Sequence, residues 1–387
     1  MWYFVSPRIV FGEGALDALD ELEGKRALVV TDANLVKTGL LNPVRDHLDK
    51  AGIEVHVFDQ VEPDPSVQTV LKGAAIAEKL APDWIIGLGG GSPMDAAKAV
   101  WILYERPDLE PAAINPFIKL GLRQKARLLT IPTTSGTGAE VTWGIVLTDT
   151  EAQRKMGLGN RENAADIAIV DPQMAAGMPP RLTADTGLDA LTHAVEAYTC
   201  TWRTDVTDGL AIEAARAVLE YLPRAYADGS DMQAREKMHN AATCAGLAFG
   251  NAMASMAHAT GHVLGAVFHV PHGRAVGLFL PYTIEFGARE APERFAQMAA
   301  FTACSDKGGE KAARKLAEAV RDLCHKLGSP VSIAETGIKK DAFEARLEKM
   351  VDDAFNDTQM VTAVRTPSFD ELRQLFVYAY NGKSVDF

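Results

Sequence analysis

The sequence is poor in several features that mark specialised classes of protein. Its four cysteines, Cys200, Cys244, Cys304 and Cys324, are scattered without a paired spacing. This pattern argues against a disulfide framework or a thiolate metal site and favours a reducing compartment, the cytoplasm. The longest apolar runs are interrupted by glycine, histidine and aspartate, and none reaches the length of a transmembrane helix. We therefore expect no membrane partner.

Positive charge is also scarce. The sequence has 39 Lys and Arg and 51 Asp and Glu, which gives a net charge of −12 and a pI near 5.3. This balance argues against nucleic acid as a partner. The first seven residues have no basic region ahead of an apolar core, so they do not resemble a secretory signal and are predicted to form a β-strand. The length of 387 residues is enough for two domains.

Short apolar runs alternate with helical patterns in the first part of the chain. Strands are predicted at residues 27–31, 53–58, 84–88, 127–131, 143–148 and 165–170, and helices at 41–51, 67–80 and 93–103. This order predicts a parallel sheet with helices on both faces, in a Rossmann-like α/β domain. Ligands of such sheets bind at the carboxyl ends of the strands.

A glycine-rich turn follows the predicted strand at 84–88. It reads Gly89-Gly90-Gly91-Ser92-Pro93, in which Ser92 is predicted to cap a helix and Pro93 to occupy its first position. The glycines would let backbone amides approach a phosphate at the positive end of the helix. A tight strand–helix joint without a ligand is the alternative for this motif alone.

Three further features of this part favour a dinucleotide. Asp32, after the first strand, could accept both ribose hydroxyls and repel a 2′-phosphate, which favours NAD over NADP. Because Asp32 precedes the glycines, the topology is not the standard Rossmann one; its alternative role is a helix cap. Hydroxyl residues and glycines fill residues 133–142, after another strand. Lys155, on a predicted hairpin, could reach a ribose or phosphate or could simply be solvated.

From about residue 178 the apolar pattern becomes helical. We therefore predict an NAD-binding α/β domain at residues 1–178 and an all-helical domain at 179–387, with a cleft between them that brings cofactor and metal together. Helices are predicted at 207–221, 233–249 and 309–327, and a capping box, Ser368 with Glu371, predicts the start of the last helix.

Four of the nine histidines lie within fifteen residues of the second domain: His258, His262, His269 and His272. Residues 245–268 are interpreted as one buried helix, so His258 and His262 share a face. Pro271 is predicted to end this helix, and Gly273 to turn the chain, which leaves His272 on a loop.

A carboxylate comes from another predicted helix, capped by Thr183 or Asp185, on which Asp189 and His193 also lie four residues apart. Asp189, His193, His258 and His272 could hold one divalent ion, with His262 beside it as a proton-handling group. Any one histidine alone would more often be a hydrogen-bonded structural residue. We expect no other polar partners in these apolar helices, and the set therefore favours a metal, for which Fe²⁺, Zn²⁺, Co²⁺ and Ni²⁺ are suitable. His269 is interpreted as structural.

Together these motifs resemble the iron-containing (group III) alcohol dehydrogenase family over nearly the whole chain. The resemblance rests on Gly89-Gly-Gly-Ser-Pro-x-Asp95-x-x-Lys98, Pro132-Thr-Thr-x-Gly-Thr-Gly-x-Glu-Val-Thr142, Gly187-x-Asp189-Ala-Leu-Thr-His193-Ala-x-Glu196-x-Tyr198, His258-x-x-Gly261-His262-x-Leu-Gly265 and Pro271-His272-Gly273. The chain departs from the family at Asp64, where Pro-Asn-Pro is common, and at residues 362–365, where Asn-Pro-Arg is common.

The resemblance implies a metal-dependent, NAD-linked enzyme that interconverts a small alcohol and its aldehyde or ketone. It implies iron as the metal, the same four ligands, and the following cofactor residues: Asp32, Gly90, Gly91, Ser92, Thr133, Thr134, Thr142 and Lys155. His262 is expected to carry the alcohol proton. A homo-oligomer, a dimer or larger, is expected.

Three other functions are compatible with parts of the sequence. A zinc-dependent polyol dehydrogenase of the glycerol type is the nearest, but such enzymes are expected to use fewer metal ligands. A metal-dependent hydrolase or lyase would activate water and would have no use for an adenosine ribose acceptor. A non-catalytic binding protein is disfavoured by the number of ionisable groups that converge in an apolar setting.

Overall fold

The computed structural model describes residues 3–150, 154–306 and 308–387, and its contacts divide the chain into two compact units, Met1–Gly177 and Met178–Phe387. The strands of the first unit are β1 (Arg8–Phe11), β2 (Arg26–Val30), β3 (Glu54–Phe58), β4 (Trp84–Gly89), β5 (Arg127–Pro132), β6 (Gly144–Asp149), β7 (Arg154–Gly159) and β8 (Ile167–Val170). Its helices are α1 (Ala33–Lys37), α2 (Leu41–Lys50), α3 (Val67–Leu80), α4 (Gly91–Glu105) and α5 (Pro172–Ala175).

Six of these strands form one sheet in the order β1-β8-β5-β4-β2-β3, and every neighbouring pair in it is parallel. All six residues of β4 are buried, as expected for a central strand with helices on both faces. Separate clusters of buried apolar residues cover the two faces of the sheet. The predicted α/β fold is confirmed. β6 and β7 form an antiparallel hairpin, with Lys155 on β7.

Two local predictions for this unit are wrong. The first strand begins at Arg8, and residues 3–7 are not part of a strand, while Met1 and Trp2 lie outside the described residues. α4 begins at Gly91, and Gly90 with its extended backbone is the N-cap. Ser92 therefore lies inside the first turn, where its Oγ accepts a hydrogen bond from the backbone amide of Asp64 at 3.3 Å.

The second unit is helical. Its helices are α6 (Pro180–Thr199), α7 (Asp205–Ala227), α8 (Met232–Ala252), α9 (Met256–Phe268), α10 (His272–Gly287), α11 (Pro292–Phe301), α12 (Gly309–Lys326), α13 (Lys340–Phe355) and α14 (Phe369–Asn381). They enclose two apolar clusters. The predicted capping box of Ser368 and Glu371 is present at the start of α14. Within the described ranges, no helix has the length and apolar character needed to cross a membrane.

Three helix predictions in this unit need correction. Residues 245–268 form two helices, because the chain leaves helical geometry at Met253, whose φ is +110°. His272 lies at the first position of α10 and not on a loop, because Pro271, with its extended backbone, is the N-cap that starts that helix. α6 begins at Pro180, which suits a first helical position, and neither Thr183 nor Asp185 caps it.

Candidate functional site

The candidate metal centre is built on one face of α6. Asp189 and His193 are one turn apart, and both side chains are almost completely buried, at 2% and 6% exposure. Glu196 follows after nearly another turn on the same helix. A buried helix face with two acids and a histidine is costly unless these groups are paired or bind a ligand.

Three helices bring nitrogen donors to one oxygen of this face. Oδ1 of Asp189 lies 3.3 Å from Nε2 of His272 on α10, 3.7 Å from Nε2 of His258 on α9 and 3.9 Å from Nδ1 of His193. The donor atoms of Asp189, His258 and His272 all lie within 4.8 Å of one another. His193 lies outside that group, but its ring stacks on the ring of His258 with centroids 4.4 Å apart.

These distances fit a small divalent ion. Two donors bound at about 2.0–2.1 Å to a tetrahedral ion lie about 3.3 Å apart. Among the described residues, Oδ1 of Asp189 and Nε2 of His258 are buried without a hydrogen bond, which is unfavourable unless another group binds there. The side chain of His272 is 44% exposed, so the centre is open on that side, as a catalytic metal site requires.

The position of His272 depends on close packing of α10 against α6. A Cβ atom on Gly273 would lie 2.0 Å from the carbonyl oxygen of Asp185, so glycine is required for this approach. The neighbouring Arg274 donates two hydrogen bonds to the carboxylate of Asp185, at 3.0 and 2.7 Å. Together the two contacts fix the start of α10 beside Asp189.

Charge at the centre is shared between the acids and the imidazoles. Burial alone would raise the pKa of Asp189, but the neighbouring His193 and His272 outweigh it and hold the pKa well below its ordinary value. Burial would likewise lower the pKa of His258, yet Glu196 and Asp189 raise it to about 9. In the absence of a metal, the imidazole of His258 is therefore protonated at neutral pH.

His262 lies beside this group. Its ring is 5.4 Å from the ring of His272 and 5.8 Å from that of His258, between centroids. Its Nδ1 is 2.9 Å from Oδ2 of Asp357, and its side chain keeps 34% exposure. Burial lowers the pKa of His262, and Asp357 partly opposes this effect. His262 is thus placed to accept a proton and is open to solvent.

Sequence reasoning missed three neighbours of the histidines. Glu196 contacts His258 and Asp357 contacts His262, so the expectation of no other polar partners is wrong. The ring of Phe249 stacks on His193 at 3.9 Å between centroids, nearly parallel. Glu196 could have been found, because it lies on the same face of the helix as Asp189. Asp357 gave no such signal, since it is 95 residues from His262.

The candidate nucleotide site lies in the first unit, at the carboxyl ends of the parallel strands. β2 and β4 are neighbours, and β3 lies on the other side of β2. The strand order therefore reverses between β2 and β4, which is where such sheets bind ligands. Asp32 is the second residue after the end of β2, and Gly90 directly follows β4. Thr133 follows β5, the next strand along.

The glycine turn packs closely against the segment after β5. A Cβ atom on Gly90 would lie 3.4 Å from the side chain of Thr134, and one on Gly91 would lie 3.3 Å from Thr137. Oγ1 of Thr134 is buried and, within the part of the chain described, has no hydrogen bond. The amide of Thr133 donates to the carbonyl of Gly89. A hydroxyl without a partner beside a helix N-terminus fits a phosphate ligand.

The other predicted cofactor residues already have protein partners. Oδ1 of Asp32 caps α1 by accepting from the amides of Asn34 and Leu35, at 2.8 and 3.1 Å. Oγ1 of Thr142 lies 3.4 Å from Nζ of Lys98, which is buried. Nζ of Lys155 is 2.7 Å from Oδ1 of Asp64.

Comparison with known proteins covers both units of the chain. A family model described as iron-containing alcohol dehydrogenase matches residues 6–172, and one described as the C-terminal part of the Fe-containing alcohol dehydrogenase family matches residues 183–380. The chain belongs to the iron-containing alcohol dehydrogenase family. The predicted family and enzyme class are thereby confirmed: the protein is an oxidoreductase of the alcohol dehydrogenase class.

Three proteins are examples of what this chain is similar to. An NADPH-dependent butanol dehydrogenase from Clostridium saccharobutylicum is 42% identical over 390 residues and all of both chains. A 1,3-propanediol oxidoreductase structure is 35% identical, with a TM-score of 0.92 over 98% of this chain and 100% of its own. The sulfoacetaldehyde reductase from Bifidobacterium kashiwanohense, solved with NAD⁺, is 28% identical, with a TM-score of 0.86 over 98% and 99%.

Proposed function

We propose that this iron-containing alcohol dehydrogenase interconverts short primary alcohols and their aldehydes, with NAD as the cofactor and one divalent ion at Asp189, His193, His258 and His272. The main support is the convergence of nitrogen donors from α6, α9 and α10 on the buried Oδ1 of Asp189. The names of the butanol and propanediol relatives support short primary substrates.

The proposed metal is Fe²⁺, with Zn²⁺ or another divalent ion as the alternative. Three nitrogens and one carboxylate oxygen suit several of these ions, so the family supports iron more than the ligand chemistry does. A bound ion would supply a Lewis acid for the substrate oxygen, and the nicotinamide would supply the hydride acceptor. The exposed side of His272 leaves room for the substrate oxygen.

The proposed cofactor residues are Asp32, Gly90, Gly91, Ser92, Thr133, Thr134, Thr142 and Lys155. Gly90 and Gly91 would bring the amides at the start of α4 to the pyrophosphate. The cap of α1 uses Oδ1 of Asp32, which leaves Oδ2 for the ribose hydroxyls. A carboxylate there disfavours the 2′-phosphate of NADP. Lys155 would have to exchange its contact with Asp64 for one with the cofactor.

His262 is the proposed proton carrier. Asp357 accepts a hydrogen bond from Nδ1 of its ring, so Nε2 keeps a lone pair that can take the alcohol proton and pass it to solvent.

The stacking of Phe249 on His193 gives the centre an apolar wall, which suits the short hydrocarbon part of the substrate.

A reconstitution experiment tests this function. The apo-protein, prepared with a chelator, would be loaded anaerobically with Fe²⁺, Zn²⁺ or Co²⁺ and assayed with NAD and NADP against primary alcohols, diols and hydroxy acids. We expect metal-dependent NAD reduction with three- or four-carbon primary alcohols. Full activity after chelation would contradict the metal site, and preference for hydroxy acids would contradict the substrate class.

We also propose that the enzyme works in the cytoplasm as a homo-oligomer. The sequence has four cysteines without a paired spacing, which is compatible with a reducing compartment. Light scattering of the purified protein would test the assembly, and a monomeric mass would contradict it.

A further inference from the structure

Glu196 has three hydrogen-bond donors around one buried carboxylate. Oε2 accepts from the amide of Ser255 at 2.9 Å and lies 2.5 Å from Nδ1 of His258, and Oε1 accepts from the amide of Ala257 at 2.5 Å. The Glu196 side chain is 5% exposed. This residue lies on α6, whereas all three donors lie at the start of α9 or just before it.

The contact with His258 fixes which ring nitrogen faces the metal centre. A carboxylate is an acceptor, so Nδ1 of His258 must be the protonated nitrogen in that bond. Nε2 then points to Asp189, at 3.7 Å from its Oδ1. A carboxylate that holds the far nitrogen of a metal-binding histidine orients the ring and raises its basicity as a ligand.

The same carboxylate also replaces the missing helix cap of α9. Ser255 is the N-cap residue, but its side chain makes no capping hydrogen bond. Glu196 satisfies two amides at this helix start instead. It thereby stabilises the break after α8, where Met253 has the unfavourable φ of +110°. The break sets the direction from which His258 enters the centre.

We infer that Glu196 is a positioning residue of the metal centre, which orients His258 through Nδ1 and holds the start of α9 against α6. This inference rests on the proposed metal site. It predicts that a neutral side chain of the same size will weaken metal binding. In Glu196→Gln, an amide NH₂ group replaces one acceptor oxygen and must face an N–H donor, which leaves at least one buried donor without a partner.

The test measures Co²⁺ binding to full-length apo-protein by chelator competition and by the visible absorption of the bound ion. The matched control is Glu105→Gln. Glu105 is also a buried carboxylate that accepts three backbone amides, those of Gln124, Lys125 and Ala126, each at 2.9 Å, but it belongs to the first unit. Both variants should lose stability. Glu196→Gln should bind Co²⁺ roughly 10–100-fold more weakly, with a changed spectrum, and Glu105→Gln should bind it as the wild type does.

The outcomes separate the inference from the proposed function. Failure of the wild-type protein to bind Co²⁺ would overturn the metal site and the inference with it. Wild-type affinity and spectrum in Glu196→Gln, or equal weakening in Glu105→Gln, would overturn the role of Glu196 alone. If Glu196→Gln does not fold, ¹⁵N-histidine NMR of the wild-type protein with Zn²⁺ decides: a proton on Nδ1 of His258 supports the inference, and a proton on Nε2 refutes it.

Discussion

His262 and Asp357 lie 95 residues apart in the sequence, yet Nδ1 of the imidazole is 2.9 Å from Oδ2 of the carboxylate. Burial alone would raise the pKa of Asp357, but the hydrogen bond with His262 outweighs it and lowers the pKa. Asp357 in turn opposes the effect of burial on His262. The carboxylate therefore keeps the imidazole a stronger base than it would otherwise be.

Replacement of Asp357 by asparagine should change the pH dependence of alcohol oxidation. As the proposed base for alcohol oxidation, His262 must be neutral, so activity should fall as the pH drops below the pKa of this residue. Loss of the Asp357 charge lowers that pKa, and the acidic limb of the kcat profile should move to lower pH. The weaker base should also reduce kcat by roughly tenfold, less than the loss of about 100-fold or more expected for His262→Ala.

Asp353→Asn is the control for this variant. Asp353 pairs with Lys349 across one turn of α13, at 2.7 Å and with both side chains well exposed, and such surface pairs contribute little. It should leave the pH profile unchanged. An unshifted acidic limb in Asp357→Asn would contradict the relation between the two residues.

Removal of one proposed metal ligand should abolish activity without unfolding the protein. In His258→Ala we expect metal content below about a tenth of the wild-type value and a matching loss of turnover, because one donor in four is lost. Metal analysis and circular dichroism would be performed on the same sample.

His269→Asn provides the comparison for His258→Ala. His269 is exposed and has a φ of +57°, which asparagine tolerates. We expect normal metal content and activity. A loss of metal in His269→Asn as large as that in His258→Ala would count against the proposed ligand set.

The residues proposed for the centre could be recognised in the sequence more readily than the structure that supports them. Asp189 with His193, and His258 with His262, could be recognised because a spacing of four places side chains on one helix face. The break between α8 and α9 could not, because residues 252–256 contain no proline or glycine. It depends on the amides of Ser255 and Ala257, which are bound by a carboxylate about sixty positions earlier.

Sheet order was beyond the sequence for a similar reason. The alternation of apolar runs with helical patterns predicted β2, β3, β4 and β5 and their parallel direction. The reversal between β2 and β4 depends on which strands pair, and pairing is a long-range property. Asp32 illustrates the limit at a single residue: its cap of α1 is visible in the structure, while the role toward NAD stays a prediction.

Gly273→Ala should destabilise the protein and weaken metal binding together. The added Cβ would lie 2.0 Å from the carbonyl oxygen of Asp185, so the start of α10, which carries His272, must move away from α6. Overpacking of this kind costs about 1–3 kcal/mol. Gly209→Ala makes the same change on α7, where nothing lies within 4 Å, and should stabilise by about 0.5–1 kcal/mol. Equal stability of the two variants in urea would refute the packing argument.

Asp32→Ser should relax the proposed preference for NAD. Serine can still cap α1, but it lacks the charge that repels a 2′-phosphate, so the ratio of kcat/KM for NADP to that for NAD should rise at least about tenfold. Asp231→Ser removes a comparable cap carboxylate at the start of α8 and should leave the ratio unchanged. An unaltered ratio in Asp32→Ser would exclude this residue as the ribose acceptor.

His239 should make the protein less stable in mild acid. It is buried in α8, and burial lowers its pKa from 6.5 to about 4. Above pH 6.5 the ring is neutral in the folded and the unfolded chain, so it has no effect on the pH dependence. Between pH 6.5 and pH 4 the unfolded chain binds a proton that the folded chain does not, and stability falls. Between pH 8 and pH 5 this proton binding lowers the free energy of unfolding by about 2 kcal/mol.

Glutamine at position 239 isolates this contribution, because it is polar and of similar size but does not titrate. In urea unfolding at pH 8 and pH 5, the free energy of unfolding of His239→Gln should fall by about 2 kcal/mol less than that of the wild type. Carboxylates contribute equally to both proteins, and their effect cancels in the comparison. His258 has the opposite sign: its raised pKa of about 9 adds stability below pH 6.5 that is lost as the pH rises to 9. The effect of His258 is the same in both proteins and also cancels. Equal pH dependence of stability in His239→Gln and the wild type would mean that His239 accepts a proton in the folded state.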